Sequence, residues 1–220
     1  MERLRAVSGR IAALSGAIAV ILSATGASLG DPYNSGLSPD PSDSADAIAT
    51  ALVKIQDDVR LGVLLGSIGA FLLICFLGYL RSYLQSFEGP NGWLSSVAFG
   101  GGLVAVGLIL VSHSVVLAAT ETAAYGQDPV LAKVFLTHGW NYFYVVSPPL
   151  MAVVAASSFV GLRFGALPRW LSIVGLLMLV VPFFAGAGLG AMVGLLWILI
   201  TSVVLVVKGS GAGGLTVTTS

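Results

Sequence analysis

The chain holds two histidines, His113 and His138, and Glu121 lies between them. Imidazole nitrogens with a carboxylate make a transition-metal ligand set, and two imidazoles alone can hold a haem iron from opposite sides. Trp140, Asn141, Tyr142, Phe143 and Tyr144 follow directly, so Glu121, Trp140, Asn141, Tyr142 and Tyr144 form a candidate pocket near the outer membrane face. His113 is the ionisable side chain set deepest in an apolar run, and such groups are costly enough to draw functional scrutiny. Glu121 stands about two helical turns away along the axis. That offset opposes a compact metal site. It opposes haem b less, because axial ligands come from well-separated backbones. The competing reading needs no chemistry. A neutral His113 hydrogen-bonds Ser112, Ser114 or a neighbouring helix, His138 is a wet interfacial residue, and the aromatics form an interfacial belt. Ordinary membrane packing is the expectation, with haem b on His113 and His138 as the alternative.

Other chemistry finds little footing. The sequence has no GxSxG, HExxH, P-loop or dinucleotide fingerprint, so no enzyme class is indicated. Asp40, Asp43 and Asp46 lack EF-hand spacing and read as a solvated loop. The single cysteine, Cys75, has no internal disulfide partner and reads as a small apolar packing residue. Net charge is zero with no basic block, which excludes nucleic acid as an expected partner. No cofactor is expected outside the haem alternative.

The elements that must position these residues are membrane helices. The chain has 220 residues, 56% hydrophobic and 9% charged, against about 25% charged in soluble domains. A chain this apolar cannot cover itself in water. Six apolar spans are expected, at about 11–29, 61–80, 97–119, 140–162, 170–185 and 190–207. The first has arginines before it and small residues at its end, which also fits a secretory signal. Its 19 apolar residues exceed the usual ~7–15 of a signal core.

The loop at 30–47 is rich in Asp, Ser, Pro and Gly. Ser42 is a candidate N-cap for an external amphipathic helix at about 43–59, where Ile48, Leu52, Ile55 and Val59 share helical spacing. Lys54–Asp58 and Asp57–Arg60 are candidate pairs on it. Glu88 to Gly92 reads as a turn, and Asp128-Pro129 as a helix start. Pro148-Pro149 interrupts the fourth span, freeing carbonyls that neighbours must satisfy. Leu167-Pro168-Arg169-Trp170 restarts the chain at an interface. The long apolar run 170–207 is split by Gly186, Gly188 and Gly190. Residues 209–220 form a flexible tail. Gly26/Gly30, Gly62/Gly66 and Gly186/Gly190/Gly194 place small residues four apart, which lets helix backbones approach closely.

Orientation follows from the cations. With both termini cytoplasmic, Arg3, Arg5, Arg10, Arg81, Arg163, Arg169 and Lys208 lie inside, and Lys54, Arg60 and Lys133 outside. That satisfies the positive-inside rule. The acidic loop after the first span, VAFGGGLVAVGLILV in the third and LPRWLSIVGLL opening the fifth resemble a loose group of actinobacterial six-span membrane proteins. The resemblance implies a membrane bundle and carries over no activity and no functional residue. The reading is an all-α polytopic bundle, residues 1–208, in a bacterial cytoplasmic membrane. It would act without catalysis, as an accessory or interaction subunit whose partners are lipid and either another protein or a second copy. A redox subunit holding haem b and a small-solute transporter built on the proline-broken spans are the alternatives.

Overall fold

The computed structural model describes residues 2–29, 43–182 and 187–209. The elements are α1 Glu2–Leu29, α2 Ala45–Lys54, α3 Gln56–Glu88, α4 Leu94–Glu121, a π-helical turn Thr122–Gly126, α5 Pro129–Phe164, α6 Arg169–Met178 and α7 Ala187–Gly209. No strand occurs among the described residues.

Five stretches are long and apolar enough to cross a membrane: Val7–Leu29, Gln56–Glu88, Leu94–Gly126, Pro129–Phe164 and Leu189–Lys208. Their outward faces are apolar at helical spacing. Ile11, Leu14, Ile18 and Ile21 on α1, and Leu61, Leu64, Ile68 and Phe71 on α3, are all exposed. Stripes of this kind are untenable in water. Lipid tolerates them, and helices satisfy their own backbone groups there. The chain is a membrane-embedded helical bundle. Cys75, read as a small apolar packing residue, is exposed on α3.

The stretch expected as a fifth span at 170–185 contains α6, which has ten residues. Such a helix is about 15 Å long, half of a ~30 Å hydrocarbon core. Its end has a local cause. Pro182 has no N–H to give the Met178 carbonyl four residues back. The chain tightens instead, with Leu179 N–H donating to Leu176 O at 3.3 Å and Val180 N–H to Leu177 O at 3.1 Å. Pro148 and Pro149 behave differently and lie inside a continuous α5. Gly186 and the loop 30–42, with Gly30 and Ser42, lie outside the described residues.

Local signals set the other boundaries. Ser44 caps α2, its side chain accepting the Ala47 N–H at 3.3 Å. The helix expected over 43–59 is broken at Ile55 (φ −104°, ψ 15°), and α3 begins at Gln56. The break serves burial. Ile48 and Leu52 sink into a satellite core with Ala119, Ala123, Ala132 and Leu136, while Val59 is fully buried on the next helix. The Glu88 carboxylate accepts the N–H groups of Leu94 and Ser95, each at 2.9 Å, and so caps α4. Asp128 caps α5 through the Leu131 N–H at 3.0 Å, with Pro129 in the first turn, as its sequence predicts. Gly165 (φ 75°) closes α5 in the left-handed region that favours glycine.

The long helices form a closed ring: α1 on α3, α3 on α4, α4 on α5, α5 on α7, and α7 back on α1, with α6 laid on α5. Close approach at small residues holds the ring. Gly26 of α1 meets the Gly62 carbonyl of α3, Gly16 the Phe76 ring, and Gly102 of α4 the Leu77 side chain. Serine hydroxyls fill glycine notches elsewhere: Ser147 on Gly190, Ser158 on Gly175, and Ser172 on Gly161. Ser202 of α7 donates to the Ala13 carbonyl and accepts the Ala17 N–H at 2.9 Å, joining α7 to α1. Lipid gives no hydrophobic drive between helices, so contacts of this kind carry the association.

Candidate functional site

His113 projects from α4 onto α3. A Cβ on Gly66 would stand 2.7 Å from His113 Nε2, so the imidazole rests in the notch that Gly66 leaves open. Gly66 is also the neighbour of Gly26 on α1, so three helices meet there. His113 Nδ1 is buried and makes no hydrogen bond among the described residues. The bond expected to Ser112, Ser114 or a neighbouring helix is therefore absent at this nitrogen.

His138 lies on α5 and is exposed, its ring edge-on to Tyr142 of the same helix at 6.2 Å between centroids. Each imidazole meets a different neighbour, and no contact joins the two rings among the described residues. No group of three or more His, Cys, Asp or Glu side chains placed to hold a metal occurs among those residues.

Glu121 belongs to a cluster that crosses helices instead. It accepts from Arg60 Nε at 3.1 Å and from Arg60 Nη2 at 2.7 Å. Arg60 Nη2 also donates to the Tyr125 hydroxyl at 3.1 Å, and the guanidinium lies 5.9 Å from the Tyr125 ring centroid. Asp57 approaches from its own helix at 3.8 Å, as the i,i+3 spacing predicts. Lys54 and Asp58 fall on opposite sides of the break at Ile55, and they form no ion pair among the described residues. The arrangement is a clamp that ties the start of α3 to the end of α4 and its π-turn. Sixty-one residues separate Arg60 from Glu121. Their one sequence signal is that each sits at the same end of two adjacent, oppositely directed spans. A second tie runs from Lys133 Nζ to the Asp43 carbonyl at 2.6 Å, fixing the entrance of α2 to α5.

Of the remaining candidate pocket residues, Tyr144 is exposed and Tyr142 half-buried. The side chains of Trp140 and Asn141 lie outside the described residues. A shallow recess occurs at this end beside α2, lined by Asp46, Thr50, Val53, Lys54, Gln127 and Pro129, and none of the predicted pocket residues lines it.

At the opposite end, the Tyr83 hydroxyl donates to the Ala166 carbonyl at 2.8 Å. This bond joins α3 two residues past Arg81 to the turn three residues past Arg163, so both arginines stand at the same end of the bundle. No protein-family model, curated protein or solved structure matches the chain.

Proposed function

We propose that the chain is a non-catalytic integral membrane protein, an accessory or interaction subunit that works by offering a helix face to a partner in a bacterial cytoplasmic membrane. In this reading it crosses six times, with α6 in the fifth crossing. Both termini lie on the cytoplasmic side with the cations of Arg81, Arg163, Arg169 and Lys208.

The observation that carries the reading is the cover on α4. Only 22% of the residues in its most apolar stretch are buried, against 39–56% in the other four long helices. Gly100 and Gly107 lie on its outward side, and a Cβ at either would meet nothing within 4 Å. Leu103, Val104, Leu110 and Val111 are exposed around them. Two open glycine positions two turns apart, among exposed branched side chains, suit the close approach of another helix. By contrast, Gly101 packs on the Pro149 carbonyl, and Gly190 on Pro182 and Ser147. That packing favours an interaction role over transport through the proline-bearing helices.

The test is solubilisation in a mild detergent, with mass determination for the native chain and for G100L/G107L. The reading expects an assembly larger than one chain, lost in the double variant while the monomer stays folded. A monodisperse native monomer without companions contradicts it. The haem alternative has its own readout: a Soret band in protein expressed with haem supplied.

A further inference from the structure

The end of the bundle bearing Arg81, Arg163, Arg169 and Lys208 carries cations that form no ion pair among the described residues. The turn between α5 and α6 is its centre. Ala166 there is fully buried, and its carbonyl accepts from Tyr83 Oη at 2.8 Å and Lys208 Nζ at 3.4 Å. Arg163 and Arg169 stand three residues to either side of Ala166, and both are exposed. The Arg163 guanidinium lies over the Phe164 ring, 5.5 Å from its centroid. Among the described residues none of the four cations forms an ion pair with a carboxylate. Glu88 is the one acidic side chain described at this end, and capping α4 occupies it.

The surroundings select the counter-ion. Trp93 and Trp170 are exposed at 67% and 54% at this end, where indoles mark the headgroup depth of a bilayer. Directly along α5 and α6 from the cations, Phe159, Leu162, Ile173 and Leu177 are exposed, an apolar face one acyl chain can lie against. Guanidinium forks pair with phosphate oxygens in two-point geometry, and an ammonium adds a point charge. We propose that the α5–α6 turn, with Arg163, Arg169 and Lys208 above the apolar α5–α6 face, is a docking surface for an anionic phospholipid. The phosphodiester takes the cations and the acyl chains take the apolar face. A soluble anion would use the cations alone and leave that face unexplained. The proposal rests on the membrane-embedded fold and not on the partner reading of α4.

The full chain is purified in dodecyl maltoside, delipidated, and its thermal unfolding followed as phosphatidylglycerol, phosphatidylcholine or inorganic phosphate is added. Phosphatidylglycerol raises the unfolding temperature and the other two do not. In R163Q/R169Q/K208Q that increment is lost, each removed charge weakening the apparent affinity about fivefold. K54Q, at the opposite end, keeps the increment. Should the triple variant elute unfolded, R169Q alone must still weaken the response, since its side chain is exposed. Equal stabilisation by phosphatidylcholine, an increment from phosphate alone, or an unchanged increment in a folded R163Q/R169Q/K208Q or R169Q variant overturns the proposal.

Discussion

At the scale of single residues, the notch at Gly66 decides how α1, α3 and α4 meet. A methyl group there would run into the His113 ring, so G66A forces the imidazole out of its seat. Overpacking of this kind costs about 1–3 kcal/mol. H113A in the same background removes the obstacle, so G66A/H113A loses less than the sum of the single variants. Unfolding in detergent measures both, and strictly additive losses would show that the ring and the glycine are not coupled. The clamp at the other end is a smaller contributor. The Arg60 and Glu121 side chains are 41% and 38% exposed, and exposed pairs contribute about 0–1 kcal/mol. R60Q and E121Q should each lower stability within that range, and the double variant should fall no further than the worse single. A loss of several kcal/mol in either would mean the pair is far better shielded than its exposure indicates.

At the scale of elements, α2 is the piece whose attachment is most separable. It is held by Ile48 and Leu52 in a satellite core and by the Ser44 cap. L52A removes a fully buried side chain, and such changes cost about 2–5 kcal/mol. The loss should appear as faster amide exchange across Asp46–Lys54 while α3, α5 and α7 keep their protection. Uniform loss of protection through the whole chain would contradict a separate satellite core. This element also shows what could be read in advance. Ile48 and Leu52 announce an amphipathic helix by spacing alone, whereas the break at Ile55 depends on two surfaces pulling the chain apart, and no local residue signals it. The α6 terminus is the reverse case. Pro182 stands four residues past Met178, so the stop was written in the sequence, although hydropathy continues unbroken to Val181 and hides it. His113 and Glu121 stand out in the sequence because ionisable groups near hydrocarbon are costly. Their partners, Gly66 and Arg60, lie on another helix, and sequence spacing carries no information across helices.

At the scale of the whole molecule, charge and lipid exposure divide the bundle. Arg81, Arg163, Arg169 and Lys208 gather at one end, while Asp46, Asp57, Asp58, Glu121 and Asp128 gather at the other. The apolar outward faces of α1, α3 and α4 lie between. Composition made this legible, since lipid reverses the usual burial rule and leaves long uncharged runs flanked by cations. The assembly of the ring was not legible, because it depends on which glycine meets which serine or carbonyl. This division requires lipid around the middle of the bundle and its two ends on opposite sides of the membrane. Labelling with a membrane-impermeant maleimide in sealed, oriented vesicles tests this directly. Native Cys75 reports the middle, and S86C, F164C, T50C and V130C report the ends in a C75S background. A bundle that spans the bilayer gives no labelling of Cys75 in intact membranes, S86C and F164C labelled from one side, and T50C and V130C labelled from the other. Ready labelling of Cys75, or S86C and F164C reacting from opposite sides, would contradict it.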